Sequence, residues 1–225
     1  MSPAKSTSRS LARALRRLPL FPLEDVVLFP HSMIPLYVFE ARYRKMVHDV
    51  LAGNRLVAIS LQLEKENTPE GVVVPRVASI AAVGEVVLAQ ELPDGRFNLV
   101  VRGRARINID EELPSEEPYR LIAAHEIPDD PPEDSPDVAE ADTALRALVS
   151  GLAESIPDGG ELLKHVAAAQ DSPAALANVM AASLVADPKA RQRLLETTDV
   201  FQRLEQLSSE VVALIDRVGK PGRAN

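Results

Sequence analysis

Three arginines stand at alternate positions, Arg102, Arg104 and Arg106. In an extended strand that spacing places them on one face. Such a row can meet phosphate or the carboxylates of a partner, or pair with acids of its own chain, and the net charge of -8 makes the last easy. A second candidate is Pro30-His31-Ser32-Met33-Ile34-Pro35, where Met33 and Ile34 lie between prolines on a segment that joins two extended pieces. Exposed there, a methionine and an isoleucine suit adaptable contact with an apolar peptide; packed into the core, they do nothing of the kind. A third candidate is the groove between the two halves of the chain described below, since ligand sites favour such boundaries.

The residue patterns of catalysis are not found. A nucleotide-binding P-loop places a glycine five residues before a Gly-Lys pair, so that backbone amides cradle phosphate. The Gly-Lys pair here is Gly219-Lys220, and Leu214 occupies the required glycine position. His125-Glu126 has Asp129 where a zinc-binding helix needs its second histidine, and Pro128 breaks that helix. His31, His48, His125 and His165 are scattered singly and read as solvated or hydrogen-bonded side chains. No serine sits in the glycine-rich, strained turn that announces a nucleophile. With no cysteine, disulfides, thiolate metal sites and cysteine nucleophiles are excluded. We therefore expect no catalytic residue, no cofactor and no metal, and a binding role; a hydrolase assembled only by folding is the enzyme alternative.

The elements that must position these residues change character near residue 130. Before it, β-branched runs of period 2 dominate; after it come alanine, leucine and 3.6-residue spacing. The junction, Pro128-Asp129-Asp130-Pro131-Pro132-Glu133-Asp134-Ser135-Pro136, reads as a solvated linker over 129–136. In the first half, Leu18–Leu23 and Val26–Pro30 are short extended segments, with Pro19, Pro22, Pro30 and Pro35 at edges or bends. A helix follows near Phe39–Leu51, with Phe39, Tyr43, Met46, Val47 and Val50 on one face and Gly53-Asn54 as a left-handed stop. Strands are expected at Leu56–Leu63, Val77–Leu92, bent near Gly84, Phe97–Ile109 and Tyr119–Ile127, with a turn at Pro93-Asp94-Gly95. In the third of these, Leu99, Val101, Ala105, Ile107 and Ile109 point one way and the arginines the other. In the second half, Ser172-Pro173 and Asp187-Pro188 each read as an N-cap followed by proline, and Asp199 as a third cap. The helices fall near 137–155, 159–169, 173–185, 188–197 and 199–218.

Composition bounds the class. With 46% hydrophobic and 26% charged residues in 225, the chain can bury a core in one large or two small domains. No stretch approaches the roughly 20 apolar residues of a membrane span. The basic segment 1–15 lacks the apolar run of a secretory signal and reads as a solvated tail, as does 219–225; a cytoplasmic location is expected.

Several stretches resemble one family. Leu18-Pro19-Leu20-Phe21-Pro22-Leu23, Asp25-Val26-Val27-Leu28-Phe29-Pro30, Pro35-Leu36-Tyr37-Val38-Phe39-Glu40, and Arg42-Tyr43 with Met46-Val47 look like the opening of the amino-terminal, substrate-binding domain of Lon proteases. Leu92-Pro93-Asp94-Gly95-Arg96 with Val101-Arg102-Gly103 and Arg106-Ile107 is similar to its hairpin, and Leu194-Leu195-Glu196, Asp199 and Arg203-Leu204 to its terminal helices. The resemblance covers about residues 16–215. It implies an α+β fold, with a PUA-like β pseudo-barrel at 16–128 and a helical bundle at 137–218. It also implies recognition of unfolded protein, peptide segments or a protein partner, as a free-standing domain without the ATPase and Ser–Lys peptidase modules, in the manner of an adaptor. The candidate surface is then Met33, Ile34, Arg102, Arg104 and Arg106. PUA-like barrels are also associated with RNA; the net charge of -8 and 4% aromatic content weigh against that alternative.

Overall fold

The computed structural model describes residues 10–67, 73–130, 135–156 and 158–218. Residues 1–9 and 219–225 of the expected tails, and 131–134 of the expected linker, lie outside these. The chain divides into two compact units, Met1–Pro128 and Asp129–Asn225.

Among the described residues the first unit has seven strands and one long helix: β1 (Leu18–Leu23), β2 (Met33–Val38), α1 (Ala41–Ala52), β3 (Leu56–Asn67), β4 (Val73–Val77), β5 (Ile80–Glu91), β6 (Phe97–Leu113) and β7 (Arg120–Glu126). The order β1-β7-β6-β5-β3 closes on itself, because β1 also pairs with β3 in parallel. The expected pseudo-barrel is therefore a closed ring of five strands, which leaves the ring no open edge. The 17-residue β6 is the hub. It carries β5 along one side, and β2 and then β7 along the other. β1 meets β7 over Leu18–Leu20 and β3 over Leu20–Leu23, so Pro19 and Pro22 each lie where the strand is paired on one side only. That is where a missing N–H costs least.

Two apolar clusters are buried against these strands. One cluster joins Val57, Ile59, Val86, Phe97, Leu99 and Val101 to Tyr43, Met46, Val47 and Val50 of α1. The other holds Leu18, Leu20, Ala58, Val83, Ala105 and Ile107, with Leu15 packed in and Leu11 against it. Residues 10–14 are helical, Leu15 is buried, and its carbonyl accepts from Ala124 N–H. Order thus begins before residue 16, because the Leu11/Leu15 pair supplies one apolar helical face to the sheet.

Four expectations are corrected. Residues 26–30 form no strand, although Val27, Leu28 and Phe29 are buried. Phe39 precedes α1 and is 61% exposed. The left-handed residue after α1 is Arg55 (φ 62), while Gly53 keeps a negative φ. Met33–Val38 is a strand, so Met33, Ile34 and Pro35, expected only to join two extended pieces, are themselves paired.

The second unit contains α2 (Pro136–Glu154), α3 (Gly160–Ala168), α4 (Pro173–Leu184), α5 (Pro188–Glu196) and α6 (Val200–Val218). Ser172 and Asp187 cap α4 and α5 as the sequence indicates, and Asp199 Oδ1 accepts from Gln202 N–H. Val200, Leu204, Leu207 and Val211 of α6 are buried. At its amino-terminal end, Asp129 and Asp130 are held in place: Asp129 pairs with the fully buried Arg203, and Asp130 accepts from Thr198 Oγ1. This part of the acidic junction is fixed structure.

Candidate functional site

The exposed face of β2, β6 and β5 is a small grid set by pairing register. Met33 lies opposite Arg102 and Arg102 opposite Glu85; Pro35 opposite Val100 and Val100 opposite Leu88; Tyr37 opposite Asn98 and Asn98 opposite Gln90. Alternation sends Ile34, Leu36 and Val38 toward the core and Met33, Pro35 and Tyr37 outward. A bulge between Val86 and Leu88 leaves Val87 unpaired, and both Val87 and Leu88 emerge into solvent. Met33 and Leu88 are 61% and 59% exposed.

Between these strands is a hollow of about 320 Å³, lined by Pro35, Leu36, Tyr37, Leu88, Leu99 and Val100, with Gln90 and Asn98 at one side. A second hollow, of about 420 Å³, is bounded by residues 21–26, Tyr37–Glu40, Arg42, Tyr43 and Gln62. Tyr37 is common to both linings. The Arg96 guanidinium sits 5.3 Å from the Tyr37 ring centre and is ion-paired to Asp94. Contiguous apolar surface of this kind, rimmed by polar groups, is the usual mark of an interaction site.

The candidates drawn from the sequence are placed as follows. Met33 is on the face; Ile34 is half-buried and packs against the core. Arg102 and Arg104 both reach Glu85 Oε2, at 2.9 and 3.0 Å. Hydrogen bonding from Arg102, and the charge of Arg104, hold the Glu85 carboxyl below the usual range against an opposing desolvation. Arg106 is not on this surface: it is 2% exposed. The register passes from Gly84/Gly103 to Val83/Ala105, leaving Arg104 as an extra residue. One inserted residue reverses the alternation beyond it. Ala105 and Ile107 therefore join the second core cluster, whereas Leu99 and Val101 belong to the first, and Arg106 turns inward.

Tyr37, Val87 and Leu88 were not among the sequence candidates, and Pro35 entered only as the end of the Pro30–Pro35 segment. Pro35 and Tyr37 share parity with Met33, and reading 33–38 as a strand would have found them. The bulge that exposes Leu88 leaves no such mark.

The turn leading into β2 is rigid. Gly103 N–H donates to Ser32 O, His31 N–H to Gly103 O, and Ser32 Oγ to Phe29 O at 2.8 Å. A Cβ at Gly103 would stand 1.9 Å from Phe29 O, so only glycine allows this approach. Among the described residues no group of three His, Asp or Glu could hold a metal. His125 instead lies 2.7 Å from Asp110 Oδ1, and His165 Nδ1 is 2.6 Å from Glu161 O.

Comparison with known proteins gives a consistent result. The sequence profile of the ATP-dependent protease La (LON) substrate-binding domain matches residues 17–213. A Lon protease of Roseiflexus castenholzii is 32% identical over 193 residues, covering 85% of this chain and 23% of that protein. One from Rhizobium meliloti is 28% identical over 192 residues, covering 84% and 23%. The chain thus spans about a quarter of the length of the curated relatives it matches. Among solved structures, the N-terminal domain of a Mycobacterium avium complex Lon protease superposes with TM-score 0.69 at 21% identity, covering 87% of this chain and 98% of that one. A Lon N-terminal domain protein from Xanthomonas campestris gives 0.61 at 26% identity, covering 86% and 97%.

Proposed function

Because the chain belongs to the Lon substrate-binding domain family, we propose that it recognises protein or peptide segments without itself transforming them, and that the exposed face of β2, β6 and β5 is where it does so. The observation that carries this reading is the hollow between β2, β6 and β5, with Met33, Pro35, Tyr37 and Leu88 turned to solvent on a paired sheet, and a second hollow that shares Tyr37. A fixed backbone lowers the ordering cost of binding, while methionine, leucine and proline side chains tolerate varied apolar partners. The face offers shape and apolar area but few fixed donors or acceptors, so affinity is weak and selectivity broad. An adaptor role, presenting bound segments to a separate machine, follows from the same property.

The test is titration of an unfolded, labelled polypeptide with the parent protein and with Leu88→Glu. We expect binding to the parent and a loss of about tenfold or more in the variant, since a carboxylate would be placed where apolar area is buried. Equal binding by both proteins would remove the face from the account.

A further inference from the structure

We propose that β2 takes an extended segment of another polypeptide as an added antiparallel strand, which makes free main-chain N–H groups the feature recognised; this rests on the peptide-binding reading above and specifies how the segment is held.

Among the described residues β2 pairs only with β6. In an antiparallel pair, alternate residues turn both main-chain groups toward the partner strand, and the residues between turn both away. Gly103 N–H donates to Ser32 O, which sets the parity: Ser32, Ile34, Leu36 and Val38 face β6. Met33, Pro35 and Tyr37 therefore turn their main-chain groups outward, and the missing N–H of Pro35 costs the pairing with β6 nothing. The outward edge offers the N–H groups of Met33 and Tyr37 and the carbonyls of all three residues. None of these groups has a hydrogen-bond partner among the described residues.

Sheets guard such an edge with charges, bulges, prolines or a covering element. β2 carries no charged side chain, and its pairing with β6 runs without a bulge. Met33, Pro35 and Tyr37 are exposed, and the hollow of about 420 Å³ beside Tyr37 and Val38 leaves open space at that end of the strand. Pro35 is a partial guard: it removes one donor and leaves the donors on either side. A second copy of the chain is a poor occupant, because joining two copies through β2 brings two missing donors into one edge of six residues.

The free groups specify the ligand. An extended backbone matches their spacing, and the antiparallel arrangement is the more stable per residue. In it, the residues opposite Met33, Pro35 and Tyr37 lay their side chains on the exposed apolar face and point their N–H groups at β2. The same ligand residues thus supply apolar contact and hydrogen bonds, and the residues between them do neither.

The test uses the full chain and a capped seven-residue peptide of alternating glutamine and leucine, with leucine second, fourth and sixth. One analogue is N-methylated on the three leucines, the other on three of the glutamines. Both lose three donors, but the leucine donors are the ones aimed at β2. The leucine-methylated analogue should bind about tenfold or more weakly than the parent peptide, and the glutamine-methylated one within about threefold of it. Pro35→Val supplies the missing donor and should tighten the parent peptide about two- to tenfold. Equal losses in the two analogues would overturn strand addition while the apolar face stands, and a loss confined to the glutamine set would overturn the antiparallel register. A parent peptide that does not bind would sink the peptide-binding reading itself. Unliganded protein whose Met33 and Tyr37 amides are already protected in a concentration-dependent dimer would put a second copy on the edge and overturn the proposal. The two analogues on unmodified protein decide the matter even if Pro35→Val does not fold.

Discussion

Arg203 shows what one residue can hold together. It has no exposed surface, and its Nη1 donates to Asp129 Oδ1 at 2.9 Å and to Thr197 O. Removing one partner of a buried ion pair leaves a charge without compensation, whereas replacing both by apolar groups can be nearly neutral. Asp129→Ala should therefore cost the helical unit about 2–4 kcal/mol, at the low end because Asp129 keeps some solvent exposure. Adding Arg203→Met should restore much of that loss. Denaturant midpoints of the single and double variants check both statements, and a double variant no more stable than the single would contradict them. The sequence showed Asp129 only as one acid of a proline-rich junction; its partner lies 74 positions away, a pairing that no local pattern encodes. Arg106 was misread for a related reason. Its spacing was right for a strand, but one bulged residue decided which way it faced.

At the scale of elements, the helices were legible and the edge strand was not. Caps and proline starts are local, so α4 and α5 could be bounded from Ser172, Asp187 and their following prolines. The segment ending at Pro35 reads as a join between extended pieces, with Pro35 at an edge or bend; Pro35 is tolerated inside β2 because β2 pairs only with β6 among the described residues. Gly103 carries the turn that aims β2. Gly103→Ala should destabilise the barrel unit by about 3 kcal/mol, since the backbone of Phe29 must move to admit a methyl group; a loss below about 0.5 kcal/mol in a melting comparison would refute the close approach. The tie between Asp49 of α1 and Tyr119, the residue before β7, is titratable. Burial, and donation of its hydroxyl to Asp49, push Tyr119 above its ordinary pKa of 10.0. The phenol form is thus favoured by folding, so its contribution is complete below pH 10 and is lost as pH rises through the higher folded value. Asp49 is held below its ordinary 3.8, chiefly by Lys45 and then by Tyr119, so its contribution is present above that pH and is lost in acid. Tyr119→Phe should flatten the alkaline decline and weaken the acid one, as read from denaturant midpoints across pH. An unchanged alkaline limb would show that Tyr119 is not its source.

For the whole molecule, the switch of period near residue 130 separated a strand-rich half from a helical one, and the boundary falls at Pro128 and Asp129. The closure of the barrel did not follow, because the parallel pairing of β1 with β3 joins segments about 38 residues apart with no turn signal between them. Among the described residues no helix is long and apolar enough to cross a membrane. Leu88→Glu is a surface change away from both cores, so it should shift stability by no more than about 0.5 kcal/mol while weakening binding about tenfold or more; matched thermal melts separate that outcome from unfolding. The most direct measurement is hydrogen exchange of the full chain with and without an unfolded polypeptide. Protection should appear in β2, in β5 around Leu88 and at residues 21–26, and the helices of the second unit should exchange as before. Saturating ligand with protection confined to the helical unit, or with none on the β2–β6–β5 face, would contradict the account.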